Sequence, residues 1–483
     1  MARRDRPAVA AAWLLLATLA VRAWDFGNPV IHVDEQYYLL VGDRLLHQGA
    51  IPYLDLWDRK PVGLFLLFAA IRLLPGDGIL AYQLVASGFA WVTAWVVWRS
   101  ARRIDASSAG ALVAGVAYLL WTALLGGRGG QSPIFYNLPV AMAALITLGL
   151  PALAAARARG AIMRRGITAC LLAGIAIQIK PTAGFEGLFI GLAHLWYLRR
   201  SGGGLGTIGP AALMLALAGA LPTLAAAGCY WAMGPHAFAA FWFANVESIL
   251  LRPPYPADQL AMRLLGIFAQ LAPLIVTGLL PGPAQHGAER RLVRLWTLAA
   301  LIGFGAIGTF FDHYALPLVA PFAIAAAPAL GERRRLAAGI TGFAVLLLGV
   351  RAALRPDDAA GARAVARVVA LNSRGGCPYV FIGDTITYHL AGACIPTAYA
   401  FPNLLAYTTE QGATGIDEAA EVRRILVRRP PVIVTSTRRL AIWNRGSLAA
   451  LRAALPGYRL VFSVPRERYR TRVYLRRDLP LRR

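Results

Sequence analysis

Two adjacent carboxylates, Asp34 and Glu35, stand at the start of a helix-like run in the polar segment "NPVIHVDEQYYLLVGDRLLHQGAIPYLDLWDRKP". A carboxylate held beside a reacting carbon can act as a general base and take the proton of an attacking hydroxyl. We predict that Asp34 is such a base and that Glu35 is a second catalytic residue. The alternative is that Asp34 is a helix N-cap, because an aspartate before "EQYYLLVGDRLL" would accept hydrogen bonds from the first turn.

The chain has 49 lysine and arginine residues, but only Lys60 and Lys180 are lysines, and a proline follows each of them. A lysine ammonium is a compact point charge that suits a phosphate. The alternative is a lysine that snorkels from a helix end, a role that arginine would fill equally well. We predict that both lysines bind a phosphate. Near Lys60, four polar side chains are predicted to contact substrate: Tyr37, Asp55, Asp58 and Arg59.

Two later segments offer further groups. "TFFDHYALPLVAPFA" contains His313 and Tyr314, and a histidine can donate to a phosphate oxygen or titrate near neutral pH. A histidine buried with a local partner is the alternative. The glycine-rich loop "GGRGGQSPIFYN", residues 126 to 137, contains Arg128, which we predict to contact substrate, although the loop lacks a phosphate-binding signature.

The amino-acid composition indicates that transmembrane helices position these residues. The chain of 483 residues is 58% hydrophobic and only 15% charged, with a mean hydropathy of +0.54, which indicates a polytopic α-helical membrane protein. Apolar blocks of about 17 to 25 residues can cross a hydrocarbon core as helices. We expect about eleven spans. The first follows the basic start and is expected to stay uncleaved. The others lie at 79–98, 106–125, 138–156, 166–180, 182–198, 206–233, 260–281, 292–311, 314–330 and 336–353.

The distribution of arginine predicts the orientation of the spans. An N-terminus inside places "MARRDR", "RSARR", "RARGAIMRR", "RR" at 199, "ERRLVR" and "ERRR" in short inner loops, as the positive-inside rule expects. All of these loops fall on the inner side only if residues 61–75 do not cross the membrane. We therefore predict an outer loop over 25–78, and we expect the candidate catalytic groups to share one outward-facing cavity. Most of the net charge of +25 then belongs to loops and does not indicate nucleic acid.

The tail has a different character from the spans. Short β-type runs, "PYVFIGD", "PPVIVTST" and "YRLVFSV", alternate with helix-like segments such as "GIDEAAEVRRILVRR". We predict a transmembrane domain over 1–354 and a small extracytoplasmic α/β domain over 355–483. Its basic surface either rests on anionic headgroups or is simply solvated. Cys377 and Cys394 either form a disulfide or stay unpaired.

The sequence contains no HExxH, no paired CxxC, no P-loop and no dinucleotide fingerprint after a strand. ATP and nicotinamide cofactors are therefore not expected. An enzyme with its reactive groups on the outer face would need an activated donor that is already in the membrane, and a lipid-linked phosphate meets that requirement.

The segment "HVDEQYYLLVGDRLLHQGAIPYLDLWDRKPVGLFLLFAAIRLLPGD" resembles the first outer loop of the C-type (GT-C) membrane glycosyltransferases of family 39, which include protein O-mannosyltransferases and the lipid A aminoarabinose transferase. "GITACLLAGIAIQIKPTAGF", "FDHYALPLVAPFAI" and "AGACIPTAYAFPNLL" are also similar to segments of that family, in the same order. One departure is Lys-Pro-Val where many members have Lys-Pro-Pro.

The resemblance implies an inverting transfer of a hexosyl or pentosyl group from a polyprenyl-phosphate donor to a lipid, glycan or protein hydroxyl. Asp34 would be the base, and Lys60, Lys180, His313 and Tyr314 would hold the donor phosphate. The expected location is the inner membrane, with the active site facing the periplasm. No metal site carries over, and a divalent metal stays an open question. A lipid-linked glycan transporter and a glycan polymerase or ligase that uses lipid diphosphates are the alternative functions.

Overall fold

A computed structural model describes residues 7–280, 286–354, 358–373, 375–438, 441–466 and 469–482, and most of them are helical. The helices before the middle of the chain are α1 Pro7–Arg22, α2 Val33–Gln48, α3 Val62–Ile71, α4 Ile79–Arg102, α5 Ser108–Leu124, α6 Ser132–Thr147, α7 Leu150–Ala155, α8 Arg159–Ile177, α9 Ala183–Arg200 and α10 Leu205–Ala232. Those after it are α11 Pro235–Trp242, α12 Ser248–Leu250, α13 Ala257–Leu279, α14 Gly287–Ala306, α15 Leu316–Glu332, α16 Arg334–Ala353, α17 Ala359–Asn372, α18 Ile386–Leu390, α19 Pro402–Ala406, α20 Glu418–Val427 and α21 Arg445–Ala454. Single turns of 3₁₀-helix and one π-helical turn, Phe243–Glu247, join some of them.

Each of the eleven predicted spans falls on a helix. In the described part of the chain, eight helical segments are long and apolar enough to cross a membrane. The other three predicted spans correspond to α5, α9 and α14. The helix α5 has 17 residues, α9 has charged residues in its first and last turns, and α14 has them near its start. The chain is therefore a multi-pass α-helical membrane protein, as predicted.

The helix α3 has ten apolar residues. At a rise of about 1.5 Å per residue it is roughly 15 Å long, which is half of a hydrocarbon core of about 30 Å. This length agrees with the prediction that residues 61–75 do not cross. The helix packs against α2 at Gly42, where an added Cβ would lie 2.7 Å from the backbone nitrogen of Ala69. The Tyr38 ring contacts the rings of Phe65 and Phe68 along the same interface.

The chain divides into two compact units. The first comprises Met1–Phe26, Gln83–Ala226 and Pro256–Ala353. Its most buried candidate span is Asp312–Glu332, which contains α15. Glycines allow close helix contacts in this unit, as is common in membrane bundles. An added Cβ at Gly110 of α5 would meet the Ala327 carbonyl oxygen of α15 at 2.4 Å, and one at Gly174 of α8 would meet the Gly219 carbonyl oxygen of α10 at 2.3 Å.

The second unit comprises Gly27–Tyr82, Ala227–Tyr255 and Leu354–Arg483. Its sheet has four strands in the order β1-β2-β4-β3: β1 Tyr379–Val380, β2 Val432–Ser436, β3 Tyr458–Pro465 and β4 Arg470–Arg476. The β1–β2 pair is parallel, and β4 is antiparallel to both of its neighbours. The helix α20 begins after an Asp417 N-cap. Cys377 and Cys394 form a disulfide, which decides between the two alternatives left open by the sequence.

The strand β4 was not predicted from the sequence. Its residues alternate as in any strand with one buried face: Thr471, Val473 and Leu475 are buried, whereas Arg470 is exposed. The arginines on the outer face made this segment resemble a basic tail, so the alternation of buried and exposed residues was not recognised.

Candidate functional site

The start of α2 places Asp34 in the first helical turn. The N-cap of α2 is His32, whose Nδ1 accepts a hydrogen bond from the Asp34 backbone N–H at 3.4 Å. The alternative in which Asp34 itself caps the helix is therefore wrong. The Asp34 carboxylate lies 3.5 Å from His32 Nδ1, and its side chain is 18% exposed. Capping does not account for this carboxylate, and it lies at the end of a rigid element where a base can be positioned.

Asp58 is a second carboxylate in the electrostatic surroundings of Asp34. Its Oδ1 accepts a hydrogen bond from the Arg59 backbone N–H at 2.6 Å. Burial raises the pKa of Asp58, the positive charge of Lys60 lowers it, and the negative charge of Asp34 raises it again. In the second unit, the charges of two predicted residues, Asp34 and Lys60, thus act on a third, Asp58. Two carboxylates and an ammonium in one electrostatic environment suit proton transfer next to an anionic ligand.

Lys60 lies where the loop turns into α3. Its carbonyl oxygen accepts a hydrogen bond from the Tyr53 hydroxyl at 2.8 Å, and its ammonium lies 5.7 Å from the centroid of the Tyr38 ring. Tyr53 has a φ of 71°, in the left-handed region that is uncommon for a tyrosine. The loop conformation therefore fixes the backbone of Lys60 and leaves its ammonium beside an aromatic face.

Glu35 and Tyr37 are both buried on α2. The Tyr82 hydroxyl donates to Glu35 Oε2 at 3.2 Å, and the Tyr37 hydroxyl donates to the Trp57 carbonyl oxygen at 2.8 Å. Burial, and then the charge of Asp58, raise the pKa of Tyr37 well above its usual value. The Tyr37 hydroxyl is thus neutral and holds the outer loop against α2.

The side chains of Arg59 and Asp55 bind other parts of the second unit. Arg59 forms an ion pair with Glu410, and it also donates to the Ala413 carbonyl oxygen at 2.9 Å. Arg252 donates to the other oxygen of Glu410 at 2.5 Å. Asp55 Oδ2 accepts the Ile51 backbone N–H at 2.7 Å, which closes a local turn. Sequence reasoning missed Glu410, since nothing in the tail marks it as the partner of a residue so distant along the chain.

In the first unit, Lys180 lies in the short turn between α8 and α9. It is buried, and its ammonium lies 3.7 Å from the centroid of the Tyr314 ring. The His313 ring, also buried, meets the same tyrosine edge to face at 4.5 Å between centroids. The first unit therefore brings together Lys180, His313 and Tyr314. A desolvated ammonium over an aromatic face, with an imidazole beside it, is a cationic group suited to an anion.

Sequence reasoning missed Arg263 and Phe311, which extend this cluster. The Arg263 guanidinium lies 4.1 Å from the centroid of the Phe311 ring and donates to the Thr309 carbonyl oxygen at 2.6 Å. The signal that could have revealed it is that Arg263 is the single cation in the otherwise apolar run of α13. The Phe311 ring in turn stacks on His313 at 5.9 Å.

The glycine-rich loop is shorter than predicted, because α6 already begins at Ser132. Arg22, buried at the end of α1, donates to the carbonyl oxygens of Gly127 and Gly129, both at 2.6 Å. Arg128 forms an ion pair with Asp25 at 3.3 Å. The loop is thus fastened to the end of α1, and the Arg128 guanidinium is held by a carboxylate.

The comparisons with known proteins concern the fold. No protein-family model matches the chain, and no curated protein matches it in sequence. Among solved structures, ArnT from Cupriavidus metallidurans bound to undecaprenyl phosphate is similar, with a TM-score of 0.63 and 14% sequence identity over 96% of this chain and 97% of that one. ArnT in the apo state gives a TM-score of 0.62 at 13% identity, with the same coverage. Over nearly its whole length, the chain has the GT-C fold of ArnT that its sequence predicted.

Proposed function

We propose that this protein is a membrane glycosyltransferase that transfers a sugar from a polyprenyl-phosphate donor to an acceptor hydroxyl. The observation that carries the proposal is the grouping of Asp34, Asp58 and Lys60 at the start of α2 and α3, in a chain whose fold matches a structure bound to undecaprenyl phosphate. A transporter needs a polar path through the membrane, and no feature of the described residues favours that function.

The reaction we assign is a single displacement with inversion. The acceptor oxygen attacks the anomeric carbon while the bond from that carbon to the phosphate oxygen breaks, and the bonding electron pair leaves with the lipid phosphate. Asp34 accepts the proton of the acceptor hydroxyl. Its first-turn position on α2 supports this role, since a base must be held within hydrogen-bond reach of the proton it removes.

The departing phosphate gains negative charge, and nearby cations stabilise it. In the second unit we assign this role to Lys60. In the first unit we assign contact with the donor phosphate to Lys180, His313 and Tyr314, supported by the buried ammonium over the tyrosine ring. Each assignment is separate, and each is tested by its own substitution.

The remaining predicted residues receive narrower roles. Asp58 is assigned an electrostatic role beside Asp34, and Glu35 a positioning role for the first turn of α2 through Tyr82. Tyr37, Asp55 and Arg59 shape the outer loop through the contacts described above and are assigned no direct contact with the reacting atoms. Arg128 is retained as a substrate contact that is held in place by Asp25.

The proposed location is the inner membrane, with the reactive groups on the periplasmic side. The charge distribution of the inner loops supports this orientation. The acceptor is a lipid, glycan or protein of the cell envelope. The fold and the cationic groups support the proposed donor class, and the assay below identifies the sugar.

The test is turnover of undecaprenyl-phosphate mannose and undecaprenyl-phosphate aminoarabinose by the purified protein in sealed proteoliposomes, with total envelope extract as acceptor. Release of undecaprenyl phosphate is measured by mass spectrometry. We expect release with one donor, and its loss in the Asp34→Asn variant at equal expression. Parallel assays with EDTA, and with Mg²⁺ or Zn²⁺ restored, decide the metal requirement. Transport of intact donor across the bilayer without release would overturn the proposal.

A further inference from the structure

An apolar groove runs along the outside of the first unit between α9 and α14, with a volume of about 930 Å³. Its walls are aliphatic and aromatic side chains. Those that project furthest are Leu188, Leu192, Trp196, Leu295, Leu298 and Ile302, each at least half exposed. Residues three or four positions apart share one face of a helix, so each helix supplies one continuous wall.

The length of the groove exceeds one leaflet. From Phe185 to Arg200 the helix α9 rises about 22 Å, compared with about 15 Å for half of a hydrocarbon core. A groove of this length and composition suits hydrocarbon chains that lie parallel to the two helices.

The charges of the groove lie at one end. Arg199 and Arg200 form the last turn of α9, and Arg291 lies in the first turns of α14. Arg199 donates to the Gly203 carbonyl oxygen, and in the described part of the chain no carboxylate forms an ion pair with any of the three. Among the described residues that line the groove, these three arginines are accompanied by no carboxylate.

This end is far from the cluster assigned to the donor phosphate in the first unit. Lys180 lies just before α9, whereas the arginines lie at its other end, and the helix of 18 residues is about 27 Å long. That distance is close to the thickness of the hydrocarbon core. A headgroup bound at the arginines is therefore a separate ligand from a phosphate bound at Lys180.

We propose that this groove is a binding site for an anionic phospholipid. The acyl chains lie along Leu188, Leu192 and Leu298, and the phosphate lies between Arg200 and Arg291. Basic residues at the end of an apolar cleft between transmembrane helices select acidic headgroups, because each arginine near the surface attracts an anionic lipid. A zwitterionic headgroup adds a positive charge that these arginines repel. Trp196 and Tyr197 supply the amphipathic rings that favour the headgroup region.

The experiment is native mass spectrometry of the full-length protein, delipidated in detergent and then mixed with dioleoyl phosphatidylglycerol or dioleoyl phosphatidylcholine. We expect retained phosphatidylglycerol in clear excess over phosphatidylcholine. In the Arg200→Gln/Arg291→Gln variant, phosphatidylglycerol should bind about 30-fold more weakly, since two cations are lost. The Arg200→Lys/Arg291→Lys variant keeps both charges and should retain most of the preference.

A matched control is Arg334→Gln/Arg335→Gln, which removes two exposed arginines at the start of α16, outside the groove. It should bind phosphatidylglycerol as the unsubstituted protein does. Equal retention of both lipids by the unsubstituted protein would overturn the proposal. So would an equal loss in the control, because the effect would then reflect overall charge and not this site.

Discussion

Arg59 and Glu410 form a buried ion pair although 351 positions separate them in the sequence. Arg252 pairs with the other oxygen of the same carboxylate. Removing one member of a buried pair leaves an uncompensated charge, which costs about 3 kcal/mol or more. We expect Glu410→Gln to lower the thermal midpoint of the protein by several degrees in a denaturation scan in detergent. Arg424→Gln, which breaks the more exposed pair with Glu421, should change it little. If both variants lowered the thermal midpoint equally, the buried Arg59–Glu410 pair would contribute no more to stability than the exposed pair.

Asp34→Asn should abolish transfer and leave folding intact. An amide has nearly the shape of the carboxylate and cannot accept the hydroxyl proton, and a positioned base contributes about 10²- to 10⁴-fold to the rate. The measurement is the single-turnover rate of donor consumption. Asp77→Asn, which changes a half-exposed carboxylate of the same unit, is the control and should stay near the unsubstituted rate. Retained transfer in Asp34→Asn would remove Asp34 from the mechanism.

Lys180→Gln should weaken donor binding about 10- to 100-fold, because a charge-assisted contact with a phosphate is lost. Lys180→Arg should restore only part of it. The Lys180 ammonium lies 3.7 Å from the centre of the Tyr314 ring, and a guanidinium, whose charge is spread over a planar group, would not reproduce that compact point charge. The check is the donor KM and kcat of both variants. Full activity of Lys180→Arg would support the simpler role of a snorkelling cation.

The disulfide between Cys377 and Cys394 closes a short segment of the second unit, with a sequence separation of 17. A cross-link over such a loop typically contributes about 3 kcal/mol. The Cys377→Ser/Cys394→Ser variant should therefore unfold at a lower temperature, and reductant should lower the midpoint of the unsubstituted protein in the same way. Cys229→Ser, at an exposed free thiol, is the matched control. Insensitivity to reductant would contradict this role.

Asp43 makes the stability of the second unit depend on acid pH. Burial raises the pKa of its carboxyl, but hydrogen bonds and charge from His389 and Arg72 outweigh burial, so the net pKa lies below the ordinary value. The folded pKa is thus lower than the unfolded one of about 3.9. The stabilisation is complete above that pH and is lost as the pH falls through the folded pKa.

We therefore expect the midpoint of the unsubstituted protein to exceed that of Asp43→Asn at pH 7, and the difference to shrink steadily below pH 4. Thermal scans between pH 7 and pH 3 measure it. A difference that stays constant with pH would show that the Asp43 variant acts through packing alone.

Much of the fold was predictable because the length of an apolar run and the positions of the arginines beside it can be read directly from the sequence. In the described part of the chain they located the eight helical segments that are long and apolar enough to cross a membrane, and the placement of the basic loops on one side required the short α3. The tertiary contacts that hold the outer loop in place were not predictable. The Tyr37 hydroxyl finds a backbone carbonyl at Trp57, and Arg59 finds Glu410, through tertiary packing that leaves no trace in spacing. The alternative considered for Asp34 was an N-cap, because aspartate is a commoner cap than histidine, whereas the N-cap of α2 is His32.

The contact at Gly42 makes a residue without a side chain a determinant of the site geometry. Tyr38 contacts the rings of Phe65 and Phe68, and Gly42, one turn later on α2, meets the backbone of Phe68 and Ala69. The contacts advance along both helices together, so α2 and α3 run in the same direction and their first turns lie at the same end. Asp34 is eight residues, or about 12 Å, from this contact along one helix, and Lys60 lies just before the first turn of the other. The two helices are in close contact at Gly42, so the spacing there determines the distance between their first turns. An added methyl group at position 42 would push α2 and α3 apart, and it would change the distance between the proposed base and its cation without contacting either.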